Sequence, residues 1–126
     1  MKEVFERAPL FLYLKMSTSN LLQQLENKSI KFKDVLSYID QHYEYRASSF
    51  INGNQDNAAD QNQGSAKVLS YAKLNNLSKE DTLKLFAEHY EAVLANPQGT
   101  DHQNIRQFME HGWDKVSFEI EVLKPL

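Results

Sequence analysis

The sequence contains no cysteine, only four glycines and three prolines, and a single tryptophan. Without cysteine the chain has no disulfide, no thiol nucleophile and no thiolate ligand for a metal. Long apolar runs are missing too. The apolar patch at residues 8–14 is much shorter than the roughly 20 residues that span a bilayer, and no small-residue cleavage site follows it. We therefore expect a soluble protein in a reducing compartment, without a membrane span or a secretory signal.

An excess of positive charge is also missing. The chain carries 14 Lys and Arg against 17 Asp and Glu, which gives a formal net charge of −3. Residues 51–126 account for the imbalance, since they hold 7 basic and 11 acidic side chains. Nucleic-acid binding needs clustered Lys and Arg to neutralise phosphates. The charge distribution therefore argues against a nucleic-acid partner.

The length of 126 residues and the 41% share of hydrophobic residues are those of one globular domain that can bury a core. Met16 opens a Ser- and Asn-rich stretch that resembles a natural protein start. We interpret residues 1–15 as an N-terminal extension, which is native, an upstream start or foreign sequence, and residues 16–126 as a single domain.

Apolar residues recur at three- and four-residue spacing over much of the chain, and this spacing predicts about five helices. One stripe contains Val35 and Ile39, and another contains Leu83, Phe86 and Tyr90. Ser65 and Ser78 precede two of the stripes as helix caps, and Thr100 with Gln103 has capping-box spacing. The predicted helices lie near residues 20–27, 32–43, 66–74, 78–95 and 100–111.

Near the C-terminus the spacing changes to strict alternation. Val116, Phe118, Ile120 and Val122 alternate with polar residues, which predicts a half-buried strand. Its best partner is the short segment at residues 45–51, which has local β character. The sequence therefore predicts an α+β fold that is mostly helical, with a minimal antiparallel sheet.

Between these segments, residues 52–65 contain no large apolar residue and no positive charge, and we interpret them as a long polar loop. Asn52, Asn54 and Asp56 have the first spacings of a calcium-binding loop, but the glycine at position six and the glutamate at position twelve are missing. No two of the four histidines have the spacing of a helical zinc pair. We expect no metal site and no cofactor.

Polar residues in this loop and at the start of the last helix are the candidates for a binding site, because sites are often carried by loops and helix ends. His102 is the weak candidate for acid–base catalysis, since the ordinary pKa of histidine lies near neutrality. Arg106 is a candidate for holding an anionic group. The full set of candidate binding residues is Asn52, Asn57, Asn62, Ser65, His102, Asn104 and Arg106.

Several motifs occur together in order. They are Ile39-Asp40-x-His42-Tyr43-x-Tyr45, Phe50-x-Asn52-Gly53, Asn57-Ala58-Ala59-x-x-Asn62-x-Gly64-Ser65 and Gly99-Thr100-Asp101-His102-x-Asn104-Ile105-Arg106-x-Phe108-Met109-x-x-Gly112-Trp113. In these motifs the chain resembles the HopJ family, which is named for a bacterial type III secretion effector. The resemblance covers roughly residues 21–126 and leaves residues 1–15 outside.

The chain departs from the family pattern at three places. Ala47-Ser48 stands where Thr-Pro is common, Asp60 replaces a usual glycine and Ala66 replaces a usual cysteine. The resemblance implies no catalytic mechanism. It implies a bacterial protein of the cytoplasm, or one that is exported into a host cell by a type III system.

Two functions remain open at this point. The first, which we favour slightly, is a binding or interaction module with a protein partner, because no enzyme motif occurs and amide side chains hydrogen-bond without charge. The second is a small enzyme or small-molecule-binding protein. Its polar pocket would lie between residues 52–65 and the start of the helix at residues 100–111. The second requires that these two segments lie on the same side of the fold.

Overall fold

The structure, a computed structural model, describes the backbone of residues 10–126 and the side chains of residues 18–126. The described part is α+β and mostly helical, as predicted. Its helices are α1 (Leu10–Glu26), α2 (Phe32–His42), α3 (Gln63–Leu74), α4 (Lys79–Lys84), α5 (Glu88–Ala95) and α6 (Gln103–His111), and a 3₁₀ turn spans Gly112–Lys115. Its strands are β1 (Tyr43–Tyr45), β2 (Phe50–Asn52), β3 (Gln55–Asn57), β4 (Val116–Phe118) and β5 (Leu123–Pro125). No helix in this part is long and apolar enough to cross a membrane.

The strands form two small antiparallel sheets. In the first, β2 lies between β3 and β4; in the second, β1 pairs with β5. The predicted pairing of residues 45–51 with the C-terminal strand is confirmed, because Phe50 faces Phe118 and Tyr45 faces Leu123. The C-terminal strand is interrupted at residues 119–122, however, and Ile120 is exposed instead of facing inward. The predicted alternation of buried and exposed residues does not continue through residues 119–122, because the chain there leaves the sheet that contains β2 and joins the sheet that contains β1.

Residues 52–65 are not the unstructured loop that their composition predicts. Gly53 and Asn54 form a two-residue turn, and Gln55–Asn57 returns as β3 beside β2. Gly53 has a φ of 61°, which glycine adopts without steric cost. Apolar alternation could not reveal this hairpin, because the inward-facing residues of β3 are polar.

The helix predicted over residues 78–95 is two helices, with a break at residues 85–87. Leu83, Leu85 and Phe86 are all buried. In a straight helix Leu83 and Phe86 would share one face, and Leu85 would point away from it. The break lets all three reach the core. Ala87 carries the change of direction at a φ of 52° and a ψ of −125°. Neither glycine nor proline marks this point in the sequence.

Two other helix starts also differ from the prediction. The helix α3 begins at Gln63, so Ser65 lies in its first turn and does not cap it. The helix α6 begins at Gln103, whose side chain donates to the Thr100 carbonyl, so the predicted capping box is absent. In both cases the residue before the helix, Asn62 or His102, is in the left-handed conformation and makes no side-chain cap. Asn and His tolerate this conformation better than most residues.

The core is formed where the apolar stripes of the helices meet the sheets. The helix α2 packs against α3, α4 packs against α1 and α6, and α6 also contacts β2 and β3. Val35, Ile39, Leu69 and Phe108 are completely buried in this cluster. Because α6 rests on the β2–β3 hairpin, residues near 52–57 and near 102–107 lie side by side.

Candidate functional site

A cleft of about 460 Å³ opens where the first turns of α3 and α6 face the first residues of α2 and α5. Its walls are therefore drawn from segments that are distant in the sequence. The lining residues are Phe32, Gln55, Asn62, Gly64, Ser65, Phe86, His89, His102, Gln103, Asn104 and Ile105. Residues 52–65 and His102 thus lie on the same side of the fold, which the pocket hypothesis required.

Behind the cleft lies a network of asparagine side chains. Asn57 and Asn104 are buried, and each donates to the other's side-chain oxygen, at 3.2 and 2.9 Å. Asn52, also buried, donates to the Asn104 carbonyl at 2.8 Å and to its side-chain oxygen at 3.1 Å. Asn62 donates to Asn57 Oδ1 at 2.7 Å. Buried amides need such partners, because an unpaired one costs about 1–3 kcal/mol.

The network fixes the position of two residues that line the cleft. Asn104 belongs to the first turn of α6, and Asn62 immediately precedes α3. Through Asn57, a residue of β3, these two helix starts are joined by side-chain hydrogen bonds. Rigidly held polar groups lose less conformational entropy when a ligand binds. The geometry of this wall is therefore set by the fold before any ligand arrives.

Aromatic rings form another wall of the cleft. Phe32 stacks with Phe86 at a centroid distance of 5.9 Å and meets His89 edge-on at 4.9 Å. The His89 and His102 rings lie 5.1 Å apart. His89 belongs to the first turn of α5, so the break at residues 85–87 brings it here. Both imidazoles border the cleft, and imidazole is the side chain best suited to exchange protons near neutral pH.

Glu88 holds this wall in place from the outer side. Its Oε1 accepts a hydrogen bond at 2.8 Å from the backbone N–H of Phe32, the first residue of α2. Partial burial opposes ionisation of Glu88, but this N–H and its own backbone N–H outweigh it, and the pKa of Glu88 is lowered. A carboxylate at a helix N-terminus is also favoured by the helix dipole. The contact links α5 to α2.

The structure does not bring Arg106 to the cleft. Its Nη2 lies 2.7 Å from Asp101 Oδ1, and its other guanidinium groups donate to the carbonyls of Asp101 and Pro97. The Arg106 side chain is the first cause of a lowered pKa of Asp101. Arg106 therefore holds the turn before α6 together, and its donors are directed away from a ligand in the cleft.

The candidate residues from the sequence fall into three groups. Asn62, Ser65, His102 and Asn104 line the cleft. Asn52 and Asn57 lie behind it in the buried network, and Arg106 lies outside it. Sequence reasoning missed the aromatic wall, because Phe32 and Phe86 belong to apolar stripes and their spacing indicates only core residues.

The described residues provide no group of three His, Cys, Asp or Glu side chains that could share a metal ion. The calcium-like spacing in the sequence does not produce a common site either. Asn52 is fully buried under α6, whereas Asn54 and Asp56 are exposed on the hairpin.

A family model described as "HopJ type III effector protein" matches residues 18–123. A solved structure described as "crystal structure of unknown function protein VPA0580" has 38% sequence identity to this chain and a TM-score of 0.79. The similarity covers 86% of this chain and 92% of that one. Among curated proteins, none matches the chain significantly.

Proposed function

The chain belongs to the HopJ family, and we propose that this member is a binding protein for a small polar ligand, held in the cleft between the starts of α3 and α6. Neither the family description nor the similar solved structure names a ligand. The proposal therefore rests on the geometry of the site.

The observation that carries the proposal is the convergence of polar side chains on one cleft. Gln55, Asn62, Ser65 and Gln103 reach it from a hairpin and two helix starts. Ligand sites commonly combine a concave apolar surface with a few converging polar groups. The volume of about 460 Å³ lies in the range of such sites. A purely structural role for these residues would not require an open cleft.

The same geometry gives His102 a role if the bound molecule is a substrate. His102 borders the cleft, and its Nε2 lies 3.9 Å from Asp101 Oδ2. We expect His102 to exchange a proton with such a substrate, and Ser65 and Asn62 to orient it.

A thermal-shift screen of metabolites tests the proposal. The wild type is compared with His89→Ala and with His102→Asn, in which asparagine keeps the tolerance for the left-handed backbone. The matched control is His42→Asn, because His42 lies at the opposite end of α2 from Phe32. A ligand of the cleft raises the melting temperature of the wild type and the control, and raises it less in the cleft variants. A folded wild type that no compound stabilises would refute the proposal.

A second candidate function is that of a protein-interaction module, and a different surface favours it. A groove of about 530 Å³ lies between the end of α3 and residues 118–123. Leu74 and Ile120 border it and are 47% and 39% exposed. Exposed apolar grooves of this kind are typical of protein-binding surfaces. Loss of a captured partner in Ile120→Asp, but not in Ser19→Asp, would support this candidate.

The family description adds export to this second candidate. In that case the protein acts in a host cell after type III secretion, and residues 16–29 are the export signal. Under the first proposal the protein acts in the bacterial cytoplasm. A secretion assay compares the full chain with a chain lacking these residues. Equal export of both would exclude the signal, and no export of either would exclude the effector role.

A further inference from the structure

The cleft is polar, but none of its lining residues in the described part of the chain is Lys, Arg, Asp or Glu. Its described lining consists of amides, a hydroxyl, two histidines, a glycine and apolar side chains. Arg106, the nearest candidate cation from the sequence, is held by Asp101 and two carbonyls. Sites for phosphate or carboxylate groups usually present Arg or Lys to the ligand.

The starts of α3 and α6 also face the cleft, and helix N-termini favour anions. The same N–H groups bind a neutral carbonyl oxygen or ring nitrogen equally well in geometric terms. Among the described lining residues no Lys or Arg adds to the partial positive charges of the two helix ends, and the carboxylates of Glu88 and Asp101 lie next to the lining residues Phe32 and His102. The neutral lining therefore favours a ligand with neutral acceptors over one with a full negative charge.

Planar rings form the aromatic wall of the cleft. The rings of Phe86, Phe32, His89 and His102 follow one another at centroid distances of 5.9, 4.9 and 5.1 Å. Side chains of this kind provide stacking and edge contacts for planar ligands. A flexible, saturated molecule would gain less from this wall than a ring would.

The amides opposite this wall supply paired donors and acceptors. Gln55, Asn62 and Gln103 each carry a side-chain carbonyl oxygen and an NH₂ group next to each other. One N–H of each NH₂ group donates within the protein, to the Asp56 carbonyl, Asn57 Oδ1 and the Thr100 carbonyl respectively, so the second N–H and the oxygen are the groups offered to a ligand. Planar heterocycles present the same two kinds of group along one edge, and Asn and Gln read such edges with two hydrogen bonds.

From these three features we propose that the cleft binds a neutral, planar, hydrogen-bonding heterocycle, with the chemistry of a nucleobase, a nucleoside or a nicotinamide. The inference rests on the proposed function and specifies the chemical class of its ligand. The ring lies against Phe32 and His89, and its polar edge meets the amides of Asn62 and Gln103.

Matched pairs of ligands test the inference by isothermal titration calorimetry. Nicotinamide is compared with nicotinate, and uracil with orotate, since each pair shares a ring and differs by one carboxylate. Adenine, adenosine and adenosine monophosphate test whether a sugar and a phosphate are accepted. Phosphate and glucose represent an anion and a polar ligand without a planar ring. We expect at least one neutral ring to bind about tenfold more tightly than its charged counterpart.

Three variants locate the binding. Gln103→Ala and Phe32→Leu are expected to weaken it about tenfold or more, which corresponds to about 1.4 kcal/mol, whereas Gln41→Ala, an exposed change at the far end of α2, leaves it unchanged. Tighter binding of nicotinate, orotate, phosphate or glucose would overturn the inference and leave the proposed function standing. If none of these probes and no compound of the metabolite screen bound to folded protein, both would fail.

Discussion

Asn57 and Asn104 donate to each other's side-chain oxygens, although they lie 47 residues apart in the chain. Asn57 is in β3 and Asn104 is in the first turn of α6. The reciprocal pair therefore joins the hairpin to the helix that carries one wall of the cleft. Both side chains are buried, so a group that loses its partner there is shielded from bulk water.

Asn57→Ala is expected to lower the free energy of unfolding by about 2–3 kcal/mol, because it leaves the buried amide of Asn104 without its acceptor. Asn54→Ala is the matched control, since Asn54 lies in the same hairpin and is exposed. Urea unfolding followed by circular dichroism measures both. Equal stability of the two variants would show that the network contributes little.

The amide network shows how far the sequence determines the site. The helical class and the pairing of residues 45–51 with the C-terminal strand follow from patterns, whereas the sequence left open whether the 52–65 segment and His102 lie on the same side of the fold. The partners of Asn52, Asn57 and Asn104 do not follow from patterns, because amide hydrogen bonds between distant segments leave no periodic signal. Composition also gives no sign of β3, because the inward-facing residues of this strand are polar.

The break between α4 and α5 was equally inaccessible from the sequence. Ala87 adopts a φ of 52° and a ψ of −125°, a combination that suits glycine and strains alanine. Propensity argues for a continuous helix at this point. Burial of Leu85 and Phe86 overrides it. The break between α4 and α5 brings His89 to the cleft and Glu88 to the start of α2.

Ala87→Gly is therefore expected to stabilise the protein by about 1 kcal/mol, since glycine relieves the positive φ. Ala92→Gly serves as the control, because Ala92 lies in the interior of α5 and is exposed. It should destabilise the protein by about 0.5–1 kcal/mol, as glycine does within helices. Thermal unfolding of the two variants beside the wild type measures the effects. A loss of stability in both would contradict the strained conformation of Ala87.

Glu88 makes the stability depend on pH. Its pKa in the folded protein lies below the ordinary value of 4.5, so its contribution is present above that value and is lost as the pH falls through the folded pKa. Glu88→Gln should therefore lower the free energy of unfolding by about 0.5–1 kcal/mol at pH 7, and the difference from wild type should shrink at pH 3.

Glu91→Gln is the control for this charge. Glu91 lies in the same helix, is 54% exposed and forms only a 3.6 Å pair with Lys28. Its effect should be close to zero at both pH values. Denaturant unfolding at pH 7 and pH 3 separates the two cases. A Glu88→Gln effect that persists unchanged at pH 3 would show that packing, and not the carboxylate, links α5 to α2.

Gly53→Ala tests the other contact between the hairpin and α6. Gly53 has a φ of 61°, and a Cβ at this position would overlap Gln107 Oε1 and lie 2.7 Å from His111 Cδ2. Gln107 Oε1 also accepts the backbone N–H of Asn54 at 2.8 Å, so the overlap displaces that hydrogen bond. We expect a loss of about 2–3 kcal/mol from backbone strain and the lost contact.

Gly99→Ala provides the comparison. Gly99 lies before α6, outside the left-handed region, and the atoms nearest to an added Cβ would be the side-chain ends of Asn96 and Arg106. The Asn96 end is able to move, and a shift of Arg106 Nη2 weakens only its pair with the exposed Asp101, so the loss should be smaller than for Gly53→Ala. Because Gly53→Ala shifts the hairpin relative to α6, it should also weaken any ligand bound between Asn62 and Gln103. Full ligand affinity in a destabilised Gly53→Ala protein would mean that the hairpin supports the fold without positioning the cleft.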